Sequence, residues 1–76
     1  MMDSLLKRIS INPQVCGGKP CIKGTRIPVA LVLGYLAAGR TVPEIIKQFP
    51  DLEPADISAT LDYARDLADF EAVGTP

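Results

Sequence analysis

The chain of 76 residues reads as a mainly α fold, with a short N-terminal strand and β-hairpin followed by three helices. Three observations predict it. Glycine and proline crowd the front third around brief polar–apolar alternations. A helix-start signature, Thr41-Val42-Pro43-Glu44, stands at mid-chain, and apolar residues recur at helical spacing over the last third. Hydrophobic residues make up 47% of the chain, enough for one compact core. The expected organisation is one domain, residues 1–76, with strand, loop and hairpin over 9–28 and helices over 29–72.

Arg8-Ile9-Ser10-Ile11 alternates as an edge strand does, and Asn12-Pro13 stops it. Cys16-Gly17-Gly18-Lys19-Pro20 is a loop, since two glycines and a proline oppose any regular element. Cys21-Ile22 and Arg26-Ile27 flank Lys23-Gly24-Thr25, a tight hairpin with Gly24 at positive φ. A lone hairpin is marginal, so this one is expected to pack on helices or to pair across a dimer.

Pro28 suits a first helical turn, and Val29 to Ala38 is apolar around its whole circumference apart from Gly34 and the Tyr35 hydroxyl. So short a chain does not easily enclose such a helix, which predicts a homodimer through Val29, Val32, Leu33 and Leu36. Gly39 ends the helix as its C′ residue. The second helix opens with Thr41 as N-cap and Glu44 three residues on, and it ends at Pro50. The third starts near Glu53-Pro54 and runs to about Ala72, with Ile57, Leu61, Ala64 and Ala68 as its expected buried stripe and Tyr63, Leu67 and Phe70 beside it. Three helices with short joints match the trihelical helix-turn-helix plan, winged-helix or homeodomain-like. A generic three-helix bundle shares that outline.

Charge is segregated along the chain. Residues 1–40 carry Lys7, Arg8, Lys19, Lys23, Arg26 and Arg40 against Asp3, a net of +5. Residues 41–76 carry Lys47 and Arg65 against eight carboxylates, a net of −6. Such a split suggests two different partners or one self-complementary assembly, although solvated faces also look like this. Histidine is absent, which removes the commonest acid–base group, and none of the serines has a base to activate it. The chain is therefore expected not to be an enzyme and to need no cofactor. Its longest apolar stretch, Ile27 to Ala38, falls short of the roughly 20 residues of a membrane helix. A cytoplasmic location with reduced thiols is expected.

Other candidate chemistry is thin. Cys16 and Cys21 are spaced unlike the usual Cys-x2-Cys zinc pair and have no histidine to assist, so no metal is expected. Cys21 is better placed as a small buried hydrophobe, while a reversible disulfide across the Gly-Gly loop is compatible with the spacing. Gly17-Gly18-Lys19 lacks the full phosphate-loop pattern and no helix follows it.

Several segments together resemble a known family: Ile11-Asn12-Pro13, Cys16-Gly17-Gly18-Lys19-Pro20, and the run Lys23-Gly24-Thr25-Arg26-Ile27-Pro28-Val29. The likeness continues through Leu36-Ala37-Ala38-Gly39, Glu44-Ile45, Phe49-Pro50-Asp51-Leu52, Asp56-Ile57 and Leu61-Asp62-Tyr63-Ala64. It covers about residues 9–68 and resembles the small bacterial proteins grouped as domain of unknown function 433. The resemblance implies a helix-turn-helix-like domain acting as the antitoxin of a type II toxin–antitoxin pair, its partner a PIN-like ribonuclease toxin.

The charge split fits that implication. A ribonuclease cleft is basic, so an acidic helix end would fill it, with Asp62, Asp66, Asp69 and Glu71 supplying charge and Phe70 an apolar anchor. Phe70 also suits the core. Operator DNA would meet the basic front, at Lys19, Lys23, Thr25, Arg26 and Arg40. The third helix itself offers Glu53 and Asp56 in its first turns, which phosphates repel. The alternatives are a stand-alone DNA-binding transcriptional regulator and a structural or assembly module.

Overall fold

The computed structural model describes residues 5–73, with side chains described as far as residue 69. The elements, in order, are β1 (Ile9–Ser10), β2 (Cys21–Ile22), α1 (Val29–Ala37), α2 (Val42–Gln48) and α3 (Pro54–Val73). The mainly helical fold with a short two-stranded antiparallel element at its front is the one expected from the sequence. Among the described residues, no helix is long and apolar enough to cross a membrane.

The strand pairing differs in detail. β1 pairs with β2, Ile9 opposite Ile22 and Ser10 opposite Cys21, so the sheet closes across residues 11–20. The predicted tight hairpin is present as a turn. Ile22 N–H donates to Ile27 O at 3.0 Å, Gly24 has φ 81°, and one bridge joins Cys21 to Pro28. Local chemistry stops it from becoming a ladder. Thr25 Oγ1 takes the Ile27 N–H at 3.0 Å and donates to Ile22 O at 2.8 Å, and Pro28 has no N–H to offer.

Both helix ends around residue 40 follow the expected rules. Gly39, at φ 87°, donates to Leu36 O, and Arg40 N–H donates to Tyr35 O, both at 3.0 Å. Together they form a Schellman motif that satisfies two orphan carbonyls of α1. Thr41 N–H then donates to Glu44 Oε1 at 2.8 Å, and Glu44 N–H to Thr41 Oγ1 at 3.3 Å, the reciprocal capping box of α2. These backbone and hydroxyl bonds hold the Glu44 carboxyl below its ordinary value of 4.5.

Ile22, Val29, Val32, Ile45, Leu52 and Ile57 form the buried core, and Tyr35 meets Phe49 edge-to-face at 5.4 Å beside it. Val29 and Val32 are 2% and 0% exposed within the single chain. Their assignment to a dimer interface is corrected: they are core. Leu33 and Leu36 are half-buried against the same core. α1 is covered on that side only, and its open side carries Ala30, Leu31, Gly34, Ala37 and Ala38.

The buried face of α3 matches the expected stripe only in part. Leu61 is 50% exposed, while Asp56 and Thr60 are buried at 6% and 0%. The inward face carries Asp56, Ile57, Ala59 and Thr60, with Tyr63 and Ala64 half-buried, so Ile57 lies in the core as expected while Leu61 and Ala68 do not. Hydropathy hides this face because two of its members are polar and locally satisfied: Thr60 Oγ1 donates to Asp56 O at 2.9 Å, and Asp56 is bonded as described below.

Two outcomes follow for stability. Ile45→Ala, at a site with no exposure, should cost about 2–5 kcal/mol in urea denaturation. The Glu44 carboxyl is lowered in the folded state, so its contribution is complete above its free value of 4.5 and is lost as pH falls through the folded value. The stability difference between wild type and Glu44→Ala should therefore be present at pH 7 and shrink in acid below about pH 4.

Candidate functional site

The surfaces that carry charge are positioned by one junction. Arg8, just before β1, reaches the first turn of α3, where its Nη1 lies 3.0 Å from Asp56 Oδ1 and 3.4 Å from Glu53 Oε1. The other Asp56 oxygen, Oδ2, accepts the Glu53 N–H at 2.8 Å, capping the helix start. The bond to Asp56, reinforced by both acidic charges, raises the Arg8 pKa above its ordinary value. The sequence reading placed Arg8 in the basic front and Asp56 among repelling acids. The available signal was an acid three residues into a helix whose start was already marked by Glu53-Pro54.

The basic residues proposed for nucleic acid do not converge on one cleft. Lys19, Lys23, Arg26 and Arg40 are exposed and form no ion pair among the described residues. Arg26 and Thr25 line a groove of about 520 Å³ with Ser10, Ile11, Asn12, Pro13, Val15 and Gly24. Arg40 borders a different groove of about 400 Å³ on the open side of α1, with Ala30, Leu31, Gly34, Tyr35 and Ala38. Thr25 is corrected as a phosphate contact, since its hydroxyl already serves both strands of its own turn.

The acidic set divides as well. Asp62 is buried at 9%, with Oδ1 paired to Arg65 Nη2 at 2.9 Å one turn away. Its Oδ2 is buried with no hydrogen-bond partner among the described residues. Asp62 is therefore withdrawn from the surface set. Asp66 and Asp69 are exposed, whereas the side chains of Phe70 and Glu71 lie outside the described residues. Asp66 lines an apolar groove of about 240 Å³ between the β1 region and α3, with Leu6, Ile9, Ile11, Tyr63 and Leu67. Ile11 and Leu67 stand 63% and 50% exposed at this groove, a feature that sequence reasoning missed because it forms between segments far apart in the chain.

Cys16 and Cys21 are both free thiols. Among the described residues, no group of three or more histidine, cysteine or acidic side chains is arranged to hold a metal ion.

A short antiparallel strand pair leaning on three helices defines the scaffold. Residues 9–64 match the model of a family described as protein of unknown function (DUF433), and the chain belongs to that family. The uncharacterized protein y4eO of Sinorhizobium fredii (strain NBRC 101917 / NGR234) is 34% identical over 57 residues, which cover 75% of this chain and 26% of that protein. The chain thus spans about a quarter of that relative's length. The crystal structure of a DUF433 member from Anabaena variabilis ATCC 29413 is similar with a TM-score of 0.77 at 34% identity, over 88% of this chain and 66% of that one.

The junction yields a direct test. Asp56→Ala removes the helix cap and leaves Arg8 without its nearer partner, and should destabilise the fold by about 1–2 kcal/mol in chemical denaturation.

Proposed function

We propose that this chain is a non-enzymatic, dimeric antitoxin that binds and neutralises a PIN-like ribonuclease through the outer side of α3, in the cytoplasm. The observation that carries the proposal is the groove between the β1 region and α3. Its apolar lining has a carboxylate, Asp66, at the edge, and the exposed Asp69 follows on the same helix. Such a seat suits an apolar side chain flanked by cations, and the cleft of a protein that grips RNA is rich in cations. The exposed Leu61 adds apolar area on α3. The basic front, with Lys19, Lys23, Arg26 and Arg40 all exposed, supports operator DNA as a second ligand. The same exposed cations favour the second reading, a DNA-binding regulator with no toxin partner. On this proposal the second copy meets the open side of α1, where Leu31 is 40% exposed.

The experiment is a pull-down of the tagged protein from its native cells at moderate salt, with the eluate identified by mass spectrometry. A stoichiometric small ribonuclease is the expected companion. An eluate of this protein alone, with or without DNA, moves the assignment to the regulator. With the ribonuclease in hand, the double variant Asp66→Asn and Asp69→Asn should bind about tenfold more weakly by calorimetry, with its circular dichroism unchanged.

A further inference from the structure

Neither proposed ligand uses the two thiols, and their placement is unusual. Cys21 lies in β2, paired with Ser10 on one side and bridged to Pro28 on the other, and is 1% exposed. Cys16 is partly open to solvent, and its Sγ donates to Arg26 O at 3.3 Å. Arg26 belongs to the returning segment whose Pro28 bridges back to Cys21, so the Cys16 sulfur is bonded to the very stretch of backbone that pairs with Cys21. Burial first, then a hydrogen bond that the Cys21 thiol gives to Cys16 and the charge of Cys16, push the Cys21 thiol up to about 11.

The backbone holds this arrangement at some cost. Cys16 has φ 54°, the one positive φ at a non-glycine position among the described residues, followed by Gly17 at 64° and Gly18 at 84°. Three consecutive left-handed residues turn the chain so that Cys16 comes back over β2 within a span of few residues. Closing bonds run from Gly18 N–H to Val15 O at 3.0 Å and from Lys19 N–H to Cys16 O at 3.2 Å.

We propose that Cys16 and Cys21 form an oxidisable dithiol, a modification site at which a peroxide installs an intramolecular disulfide. Cys16, the sulfur open to solvent, attacks one peroxide oxygen. The S–O bond forms, the O–O bond breaks, and the departing oxygen leaves as water with the thiol proton. Cys21 then attacks the sulfenic sulfur. The S–S bond forms, the S–O bond breaks, and the hydroxyl leaves as water with the Cys21 proton. Two thiols lose two electrons in all, and one hydrogen peroxide becomes two waters. Exposure sets the order, because the buried Cys21 meets oxidant only through Cys16. The link replaces the thiol bond to Arg26 O and ties the loop before Lys19 to β2.

The test treats the full chain, folded and reduced, with graded hydrogen peroxide, then alkylates it and maps its peptides without reductant. The expected product is a monomeric chain two hydrogens lighter, with Cys16 and Cys21 in one cross-linked peptide and both thiols restored by dithiothreitol. Cys21→Ser should leave a sulfenic acid on Cys16 that dimedone traps, and Cys16→Ser should leave Cys21 unoxidised at the same dose. Should either variant misfold, the wild-type peptide map decides alone. Overturning results are a Cys16 sulfinic acid beside a free Cys21, a disulfide between two chains, or two unreacted thiols at doses that oxidise free cysteine.

Discussion

A single arginine ties the start of the long helix to the first strand. Arg8 precedes the first strand, and Asp56 lies in the first turn of α3, 48 residues later, yet their side chains meet at 3.0 Å. Asp56 is buried, and a buried carboxylate without partners is among the costlier features a small domain can carry. Here it has two: the guanidinium and the Glu53 N–H, which itself needs an acceptor at the helix start. This arrangement favours one rotation of α3. Thr60 and Tyr63 then point inward behind Asp56, and Leu61 points out.

Much of the exposed chemistry depends on that rotation. With α3 turned so, Tyr63 and Leu67 come beside Ile9 and Ile11, and Asp66 reaches the edge of the groove they make. The same turn takes Asp62 out of solvent and pairs it with Arg65. An acidic helix that looks uniform in sequence is thus split into a carboxylate held internally, Asp62, and others left exposed, Asp66 and Asp69. At the opposite end, the left-handed turn at residues 16–18 brings Cys16 over β2 and places Arg26 beside a groove of its own.

Membership of the DUF433 family and the shared fold of the Anabaena variabilis protein establish the scaffold. The match to a quarter of y4eO shows a chain segment of this kind within a longer protein.

By itself the sequence determined the features that depend on near neighbours. The capping box at Thr41 and Glu44, the glycine stop at Gly39, the turn at Gly24 and the three-helix order rest on bonds made within a few residues, and each was legible in the composition and spacing. Tertiary structure alone decided whatever depends on a polar group being satisfied from afar. Asp56 reads as a surface acid until Arg8 supplies its partner, and of the expected stripe on α3 Ile57 is buried while Leu61 is not. Val29 and Val32 read as interface because an all-apolar helix does not say which side its own chain covers. The hairpin was placed at residues 21–27 because its turn signal is local, whereas the pairing of Ile9 with Ile22 is fixed by a register across a long loop. Local hydrogen bonds leave a pattern in the sequence, while long-range satisfaction and packing appear only once the chain has folded back on itself.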